Sequence, residues 1–175
     1  MTTKSGKTVF VDCNDTLIAV RYANRNDTAP EGYRSIERDG QHYHVQARPS
    51  ALAFVQALAE DGHDVVVLTG GSTRIQYLLL SLGGLNREID EVIGFENSGK
   101  TEIPQNWVLV DDLQGGSTSF DEKLGMLGIS RKRLGDKKYD ELIAKRCIQC
   151  SSFKGGEDAH PLTGLLDDVR AKLAA

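Results

Sequence analysis

Three aspartates in this sequence follow apolar runs that have the character of parallel strands. Asp12 comes directly after the run 8–11, and the pair Asp111 and Asp112 comes after the run 107–110. Parallel strands of one sheet end at the same edge, so we expect these carboxylates to lie close together. Carboxylate oxygens bind Mg²⁺, and a carboxylate can also attack phosphorus as a nucleophile. The three aspartates therefore predict a metal-assisted phosphoryl-transfer site.

A second set of residues has the properties of a phosphate-binding loop. The apolar run 65–68 ends at Thr69, whose hydroxyl can donate a hydrogen bond to a phosphate oxygen. Gly70 and Gly71 allow the backbone to approach a ligand closely. A helix is predicted to begin just after them, and a helix N-terminus offers free N–H groups and a positive dipole end to anions. We therefore expect Thr69 and Gly70 to bind phosphate.

In chain order, these residues resemble the four motifs of the haloacid dehalogenase superfamily. The first motif, Asp-x-Asp-x-Thr-Leu in phosphatase members, is similar to Asp12-Cys13-Asn14-Asp15-Thr16-Leu17. Thr69 matches the second motif, and Asp111-Asp112 matches the fourth. Lys100, in Ser98-Gly99-Lys100-Thr101, is the candidate for the third motif, although a surface loop can also carry such a lysine.

The resemblance implies a mechanism and a cofactor. Asp12 would attack phosphorus to form an aspartyl-phosphate, while Thr69 and Lys100 would bind the phosphate group. The implied cofactor is Mg²⁺, with the ligands Asp12, the main-chain carbonyl of Asn14, Asp112 and, in support, Asp111. The candidate catalytic residues are thus Asp12, Asn14 and Lys100.

Two further segments narrow the resemblance to one group within the superfamily. Arg48-Pro49 precedes the first predicted helix, and Phe153-Lys154-Gly155-Gly156 precedes the last one. In these features the chain looks most like the small cap-less phosphatases that act on phosphoprotein C-terminal domains. A phosphorylated macromolecule is the substrate class that this likeness implies.

Asn14 departs from the phosphatase pattern. It occupies the position of the carboxyl group that protonates the leaving group and later activates water. An amide cannot transfer a proton, and the loss of a general acid/base typically lowers the rate by about 10²–10⁴-fold. Three alternatives stay open: a phosphatase that uses another acid such as Asp15, a phosphotransferase, and a regulatory protein that binds phosphate and metal without hydrolysis.

Apolar, β-branched runs alternate with segments of helical period along the whole chain. This alternation predicts a Rossmann-like three-layer α/β sandwich with a five-stranded, mostly parallel sheet and a ligand site at the carboxyl ends of its strands. The predicted strands are 8–11, 64–68, 91–95, 107–110 and 146–150. The predicted helices are 51–60, one from 72 or 73 to the glycines at 83 and 84, 120–126, one around 139–143, and 162–173.

Residues 21–46 interrupt the alternation, because they are too many for a simple connection. They contain Asp39-Gly40, a dipeptide typical of a two-residue hairpin turn, in the middle of two strand-like runs. We therefore expect a β-hairpin insert, with Ile36 opposite Tyr43, within a single domain of residues 1–175. Such a minimal cap leaves the site open, which favours a phosphate displayed by a macromolecule.

The overall composition sets limits on partners and location. The net charge of −4 and the pI of about 5.6 create no global field that would attract nucleic acid. Residues 131–146 hold seven basic side chains against three acidic ones. Three substrate classes therefore stay open: a phosphorylated nucleic-acid end, a phosphoprotein and a small phosphate ester. Three cysteines and no apolar leader or membrane-length run predict a cytoplasmic protein with no membrane partner. Nothing in the sequence predicts the oligomeric state.

Overall fold

A computed structural model describes residues 7–97, 99, 102–115 and 117–175. Its strands are β1 (Lys7–Val11), β2 (Ile18–Ala23), β3 (Arg34–Arg38), β4 (Gln41–Ala47), β5 (Asp64–Leu68), β6 (Glu91–Ile93), β7 (Asn106–Asp111) and β8 (Cys147–Gln149). Five of them form a wholly parallel sheet of order β6-β5-β1-β7-β8. The predicted α/β class with its five-stranded sheet is confirmed, and the strand that leads to Asp12 lies at the centre.

Helices cover both faces of this sheet. They are α1 (Ala51–Glu60), α2 (Thr73–Leu82), α3 (Thr118–Met126), α4 (Arg131–Leu134), α5 (Asp136–Arg146) and α6 (Leu166–Ala174), with short 3-10 turns at Phe95–Asn97 and Leu162–Leu165. The short α4 was not predicted, and the last predicted helix begins as a 3-10 turn. Among the described residues, no helix has the length and apolar character needed to span a bilayer.

Alternation along the central strand produces two separate cores. Val9 and Val11 of β1 pack on one side of the sheet, whereas Phe10 packs on the other. The first side is covered by α1, α2 and α6 through residues that include Leu58, Leu79 and Val169. The second side is covered by α3 and α5 through residues that include Leu124 and Tyr139. The three layers follow from this period of two, because each strand must bury both of its faces.

The insert after β1 is larger than the predicted hairpin. β3 and β4 form that hairpin, with Ile36 opposite Tyr43 as predicted. Asp39 and Gly40 have φ values of 52° and 76°, as a tight turn between twisted strands requires. β2, however, pairs with the other edge of β4 and makes a three-stranded antiparallel sheet of order β2-β4-β3. The insert therefore begins at Ile18, before the predicted boundary at residue 21.

The two segments that suggested the phosphatase group meet in space. The buried Arg48 guanidinium donates to Asp158 Oδ1 at 2.9 Å, and it also donates to main-chain oxygens of Ser151 and His160. It lies over the ring of Phe153, 5.8 Å from the centroid. The segment 151–161 is thereby fastened to the start of α1. From this anchor the chain passes over the small sheet, where the Tyr33 hydroxyl donates to the Lys154 carbonyl.

Candidate functional site

An open cleft of about 480 Å³ lies at the carboxyl ends of β1, β5 and β7. Each of these strands is followed directly by cleft-lining residues, and α3 together with Phe95 provides the remaining wall. The predicted site residues that line the cleft are Asp12, Asn14, Thr69, Gly70 and Asp112. The parallel sheet thus brings these residues from three distant stretches of the chain to one place, as the strand-end argument predicts.

A carboxylate cluster forms the deepest part of the site. Oxygens of Asp12, Asp111 and Asp112 lie within 4.8 Å of one another. Asp12 and Asp111 are buried, and Asp112 is half-buried. Lys123, from α3, donates to Asp12 Oδ1 at 2.7 Å and to Asp111 Oδ2 at 2.6 Å. Like-charged groups are therefore held together by one buried ammonium group.

The pKa values in this cluster reflect its burial. Burial raises the pKa of Asp12 to about 7; Lys123 opposes the shift, and the carboxylates of Asp111 and Asp112 add to it. Burial also raises the pKa of Asp111, again against Lys123. Burial alone would lower the pKa of Lys123, but the attraction of Asp12 and Asp111 outweighs that effect and raises it. Burial therefore disfavours the ionised carboxylates of this cluster, and its one ammonium group offsets that effect only in part.

Thr16 connects the two strand ends. Its hydroxyl lies 3.2 Å from Asp12 Oδ2 and 3.4 Å from Asp112 Oδ1, so it can donate to either carboxylate. The same oxygen accepts from the Asp112 main-chain N–H at 3.2 Å. Thr16 is fully buried. The threonine of the first motif therefore positions the carboxylates that follow β1 and β7.

The turn after Asp12 holds the residue that replaces the expected acid. Asn14 lines the cleft, and its buried Oδ1 has no hydrogen-bond partner among the described residues. Asp15 follows with a positive φ of 64°, a conformation that aspartate and asparagine tolerate better than most residues. Its carboxylate lines the same cleft and pairs with Lys154 from the segment 151–161. The alternative acid is thus present at the cleft, but it is already in an ion pair.

The loop that we expect to bind phosphate lies between β5 and α2, and one N–H group at the start of α2 already has a partner. Thr69 is buried and lines the cleft, with its hydroxyl accepting from the Gly71 N–H at 3.1 Å. Glu96 Oε1 accepts from the Thr73 N–H at 2.8 Å and so caps α2. We had expected the N-terminus of α2 to be offered to phosphate. Instead, a carboxylate of the chain satisfies the Thr73 donor, and phosphate binding by Thr69 and Gly70 stays a prediction.

The lysine of the site was not found from the sequence. The predicted third-motif residue, Lys100, lies outside the described residues. Lys123 occupies the position in contact with Asp12 and Asp111. The sequence did contain a signal for it: Phe120, Lys123 and Leu124 have the spacing of the buried face of a helix, where an unpaired lysine is rarely found.

The donor set of this cluster fits Mg²⁺. Carboxylate and carbonyl oxygens are the ligands that this hard cation prefers, and Asp12 and Asp112 both face the cleft. Asp111 is engaged instead, because its Oδ1 accepts from the Leu113 N–H at 2.9 Å and its Oδ2 accepts from Lys123. This agrees with a supporting role for Asp111. The grouping of three carboxylates beside a single ammonium group is a second reason for the fit.

Comparison with solved structures identifies the fold. The chain superposes on the RNA polymerase II CTD phosphatase Fcp1 of fission yeast bound to beryllium fluoride, with a TM-score of 0.53 and 13% identity over 97% of this chain and 50% of that one. A second Fcp1 structure gives 0.56 and 12%, over 97% and 48%. A HAD-superfamily hydrolase from Ehrlichia chaffeensis gives 0.51 and 11%, over 98% and 99%. The chain therefore has a haloacid dehalogenase-type fold and spans about half of each Fcp1 chain.

Sequence comparison is less informative. No protein-family model matches the chain. Protein RecA of Oleidesulfovibrio alaskensis is 34% identical over 94 residues, which cover 52% of this chain and only 26% of that protein. One stretch of our sequence, 94–101, has the G-x-x-x-x-G-K-T spacing of a nucleotide-binding P-loop. A P-loop runs into a helix, but residues 102–105 are not helical and β7 begins at Asn106. The described residues do not support a P-loop there.

Proposed function

We propose that this protein is a Mg²⁺-dependent phosphohydrolase that forms an aspartyl-phosphate at Asp12. The observation that carries the proposal is the contact of the Asp12 carboxylate with Lys123, beside Asp112 and in the same cleft as Thr69. A nucleophile, a cation and a phosphate-binding hydroxyl are the parts that phosphoryl transfer needs. The haloacid dehalogenase-type fold supports the same assignment.

The chain's own residues perform the first step as follows. Asp12 attacks phosphorus, the new bond forms to a carboxylate oxygen, and the bond between phosphorus and the ester oxygen breaks. Lys123 favours the ionised form of Asp12 and orients it, and it balances charge on the phosphoryl oxygens. Thr69 donates to one of these oxygens. Water then attacks phosphorus, the bond between phosphorus and the Asp12 oxygen breaks, and phosphate leaves with the proton from the water, which restores the Asp12 carboxylate. Mg²⁺, when bound by Asp12, Asp112 and the Asn14 carbonyl, would neutralise phosphate charge.

The leaving alcohol must obtain a proton, and here the site departs from a simple phosphatase. Asn14 has no proton to transfer. Two other carboxylates line the cleft outside the metal cluster, Asp15 and the exposed Glu122. Asp15 is paired with Lys154. We therefore expect slow turnover of esters with poor leaving groups and faster turnover of activated esters.

The direct test is hydrolysis of an activated phosphate ester with and without Mg²⁺, for the wild type and for Asp12→Asn. We expect activity that requires Mg²⁺ and falls at least about 10³-fold in Asp12→Asn, as for other covalent nucleophiles. Asp168→Asn, on the exposed side of α6, is the matched control and should behave as the wild type. Undiminished activity in Asp12→Asn would contradict the proposal that Asp12 is the nucleophile.

A second candidate function follows from the same turn. Asn14 and the engaged Asp15 would suit a protein that binds phosphate and Mg²⁺ without hydrolysis, or one that transfers the phosphoryl group to an acceptor other than water. Calorimetry would then record Mg²⁺-dependent binding of a phosphate analogue while a broad ester panel shows no turnover. Robust hydrolysis of any panel member would exclude the binding protein.

The open cleft supports a substrate displayed on a macromolecule, a phosphoprotein or a nucleic-acid end, over an enclosed small ester. The basic segment 131–146 adds little support for nucleic acid. Arg131 pairs with Asp140 at 2.9 Å and lies over the Tyr139 ring. Arg146 donates to the Trp107 carbonyl. Much of the local positive charge therefore stabilises the packing of α4 and α5. We propose a cytoplasmic location on the sequence pattern described above.

A further inference from the structure

One large apolar side chain at the cleft is exposed although its backbone is well fixed. Phe95 lines the cleft and leaves 59% of its surface accessible. Leu113 and Met126 are the other large apolar residues that line the same cleft. Single exposed apolar residues are common on protein surfaces, but this one belongs to the wall of the proposed phosphate site. Its ring is free to make contact with a ligand.

Four contacts hold the Phe95 turn against the phosphate-binding loop. The Phe95 N–H donates to the Gly71 carbonyl at 3.1 Å, and the Gly94 N–H donates to Thr73 Oγ1 at 3.0 Å. Glu96 caps α2 through Ser72 Oγ and the Thr73 N–H. The backbone approaches so closely that a Cβ at Gly94 would lie 2.4 Å from the Thr73 nitrogen. Phe95 is therefore fixed relative to the loop that contains Thr69.

This arrangement places the aromatic ring of Phe95 next to the loop that would bind phosphate. Gly71, which accepts from Phe95, is two residues beyond Thr69. A phosphate held by Thr69 would have its ester group directed to the remaining cleft, where Phe95 and the two aliphatic residues form the apolar lining. Aromatic pairs prefer stacked or edge-to-face contacts and gain about 0.5–1.5 kcal/mol beyond the area that they bury. Because the backbone of Phe95 is already fixed, ordering its ring on binding costs only side-chain entropy.

We propose that Phe95 is a specificity-determining residue that selects phosphate monoesters with an aromatic ring close to the phosphate. The proposal rests on the phosphate site described under the proposed function and names its substrate class. The ring can belong to a phenyl group, as in a tyrosyl phosphate, or to a nucleobase, as in a nucleoside 5′-monophosphate. Both share a planar ring that can pack on Phe95 while the phosphate reaches Thr69 and Asp12.

The first test compares two esters whose alcohols have similar acidity and size. Benzyl phosphate has an aromatic ring and cyclohexylmethyl phosphate has a saturated one, so leaving-group chemistry is matched. We expect the wild type to favour benzyl phosphate by about tenfold in kcat/KM, mainly through KM. In Phe95→Leu, which keeps an apolar side chain, the ratio should fall close to one. A ratio near one in the wild type would overturn the proposal.

Tyr77→Leu is the matched control variant. Tyr77 is an exposed aromatic residue of α2 that does not line the cleft. Its replacement should leave the ratio of the two esters at the wild-type value. If Tyr77→Leu lowers the ratio as much as Phe95→Leu does, the selectivity does not arise at Phe95 and the proposal fails.

Two further substrates distinguish the sources of the ring. O-phosphotyrosine and adenosine 5′-monophosphate are compared with glycerol 3-phosphate, which has no ring. A preference for either aromatic ester that is lost in Phe95→Leu supports the proposal and identifies the phenyl or nucleobase class. Equal kcat/KM for all three would overturn it.

A binding measurement separates this proposal from the proposed hydrolase activity. Calorimetry with Mg²⁺ compares phenylphosphonate with methylphosphonate, neither of which is an ester that can be hydrolysed. Tighter binding of phenylphosphonate that weakens in Phe95→Leu supports the aromatic platform even if no ester is turned over, and the absence of turnover then counts only against hydrolysis. If phenylphosphonate and methylphosphonate bind equally, or if neither binds, the proposed role of Phe95 is overturned.

Discussion

Two lysines contact aspartates at the cleft, and they differ in burial. Lys123 contacts Asp12 and Asp111, and its side chain is only 7% exposed. Lys154 contacts Asp15, but its side chain is 71% exposed. The residue types are the same in both contacts, and both join distant parts of the chain. They differ in their access to water, and Lys123 also contacts one carboxylate more than Lys154 does.

Burial makes the first contact much more consequential than the second. Water screens an exposed ion pair, and such pairs contribute about 0–1 kcal/mol to stability. A buried charge whose partner is removed stays desolvated, which costs about 3–5 kcal/mol. The raised pKa of Asp12 reports this desolvation directly. We therefore expect Lys123 to control both folding and chemistry, whereas Lys154 should affect neither strongly.

Replacement of Lys123 should have the largest effect. In Lys123→Met the carboxylates of Asp12 and Asp111 lose their counter-charge, and the phosphoryl group loses a cation. We expect kcat/KM to fall about 10²–10³-fold and the unfolding free energy to fall by about 3–5 kcal/mol. Steady-state kinetics and denaturant titration measure the two effects.

Lys123→Arg provides the check on folding, since it keeps a positive charge in the cluster. It should recover much of the stability and less of the activity, because the guanidinium cannot reproduce the geometry of an ammonium group. Wild-type kinetics in Lys123→Met would show that another cation, such as Lys100, serves the site.

Restoring a carboxyl at position 14 should produce the next largest effect. Asn14→Asp supplies a general acid/base in the turn between Asp12, which contacts Lys123, and Asp15, which contacts Lys154. We expect kcat to rise about 10- to 10²-fold. The gain should be larger for an alkyl phosphate than for p-nitrophenyl phosphate, whose leaving group needs no proton. An unchanged rate would mean that another group already supplies the proton, and Asp15→Asn and Glu122→Gln would then identify it.

The pH dependence of stability should reveal the buried cluster. In the fold Asp12 has a pKa of about 7, against 3.8 for an ordinary aspartate. Between these values the folded state binds a proton that the unfolded state has lost, so stability should fall as the pH rises through this window. Without divalent cations, the decrease in Tm from pH 5 to pH 8 should be smaller in Asp12→Asn than in the wild type.

The effect of Mg²⁺ on thermal stability gives a second measurement of the ionisation of Asp12. Because a bound cation compensates the ionised carboxylates, it should raise Tm more at pH 8 than at pH 5. Thermal scans with EDTA or Mg²⁺ at the two pH values measure the difference. An equal rise at both pH values would contradict the link between metal binding and the ionisation of Asp12.

Loss of the exposed contact should have the smallest effect. Lys154→Met removes an ion pair that water already screens, so we expect the unfolding free energy to change by less than about 1 kcal/mol. The same substitution in the buried contact, Lys123→Met, is its matched comparison. A loss in Lys154→Met that approaches that of Lys123→Met would remove the distinction between the two contacts.

The sequence predicted most of the fold because its local patterns are strong. α1 has the predicted bounds, and β5 also has them, since the apolar pattern of each is clear and Gly62, with its positive φ, separates them. β2 was missed because its strand character is clear only from its pairing with β4, which lies about twenty residues further along the chain. The four-residue α4 is too short to produce a periodic pattern.

The site was predicted in part for a related reason. Asp12, Thr69 and Asp112 were found because each follows a strand, and strand ends converge in any parallel sheet. Lys123 belongs to a helix, and its position at the cleft depends on how α3 packs on the sheet. Phe95 was likewise unremarkable in the sequence. Its importance comes from the hydrogen bond to Gly71 that fixes it at the cleft.

The sequence by itself determined that the turn after β1 contains an aspartate, the proposed nucleophile, and has an asparagine at the position of the expected acid. No packing can give the amide of Asn14 a proton to transfer, so this feature depends on covalent chemistry alone. The tertiary structure decided which charges meet: Asp12 and Lys123 are 111 residues apart, and Asp15 and Lys154 are 139 residues apart. It also decided how strongly they interact, because burial, which no local pattern specifies, sets the electrostatic strength of each contact.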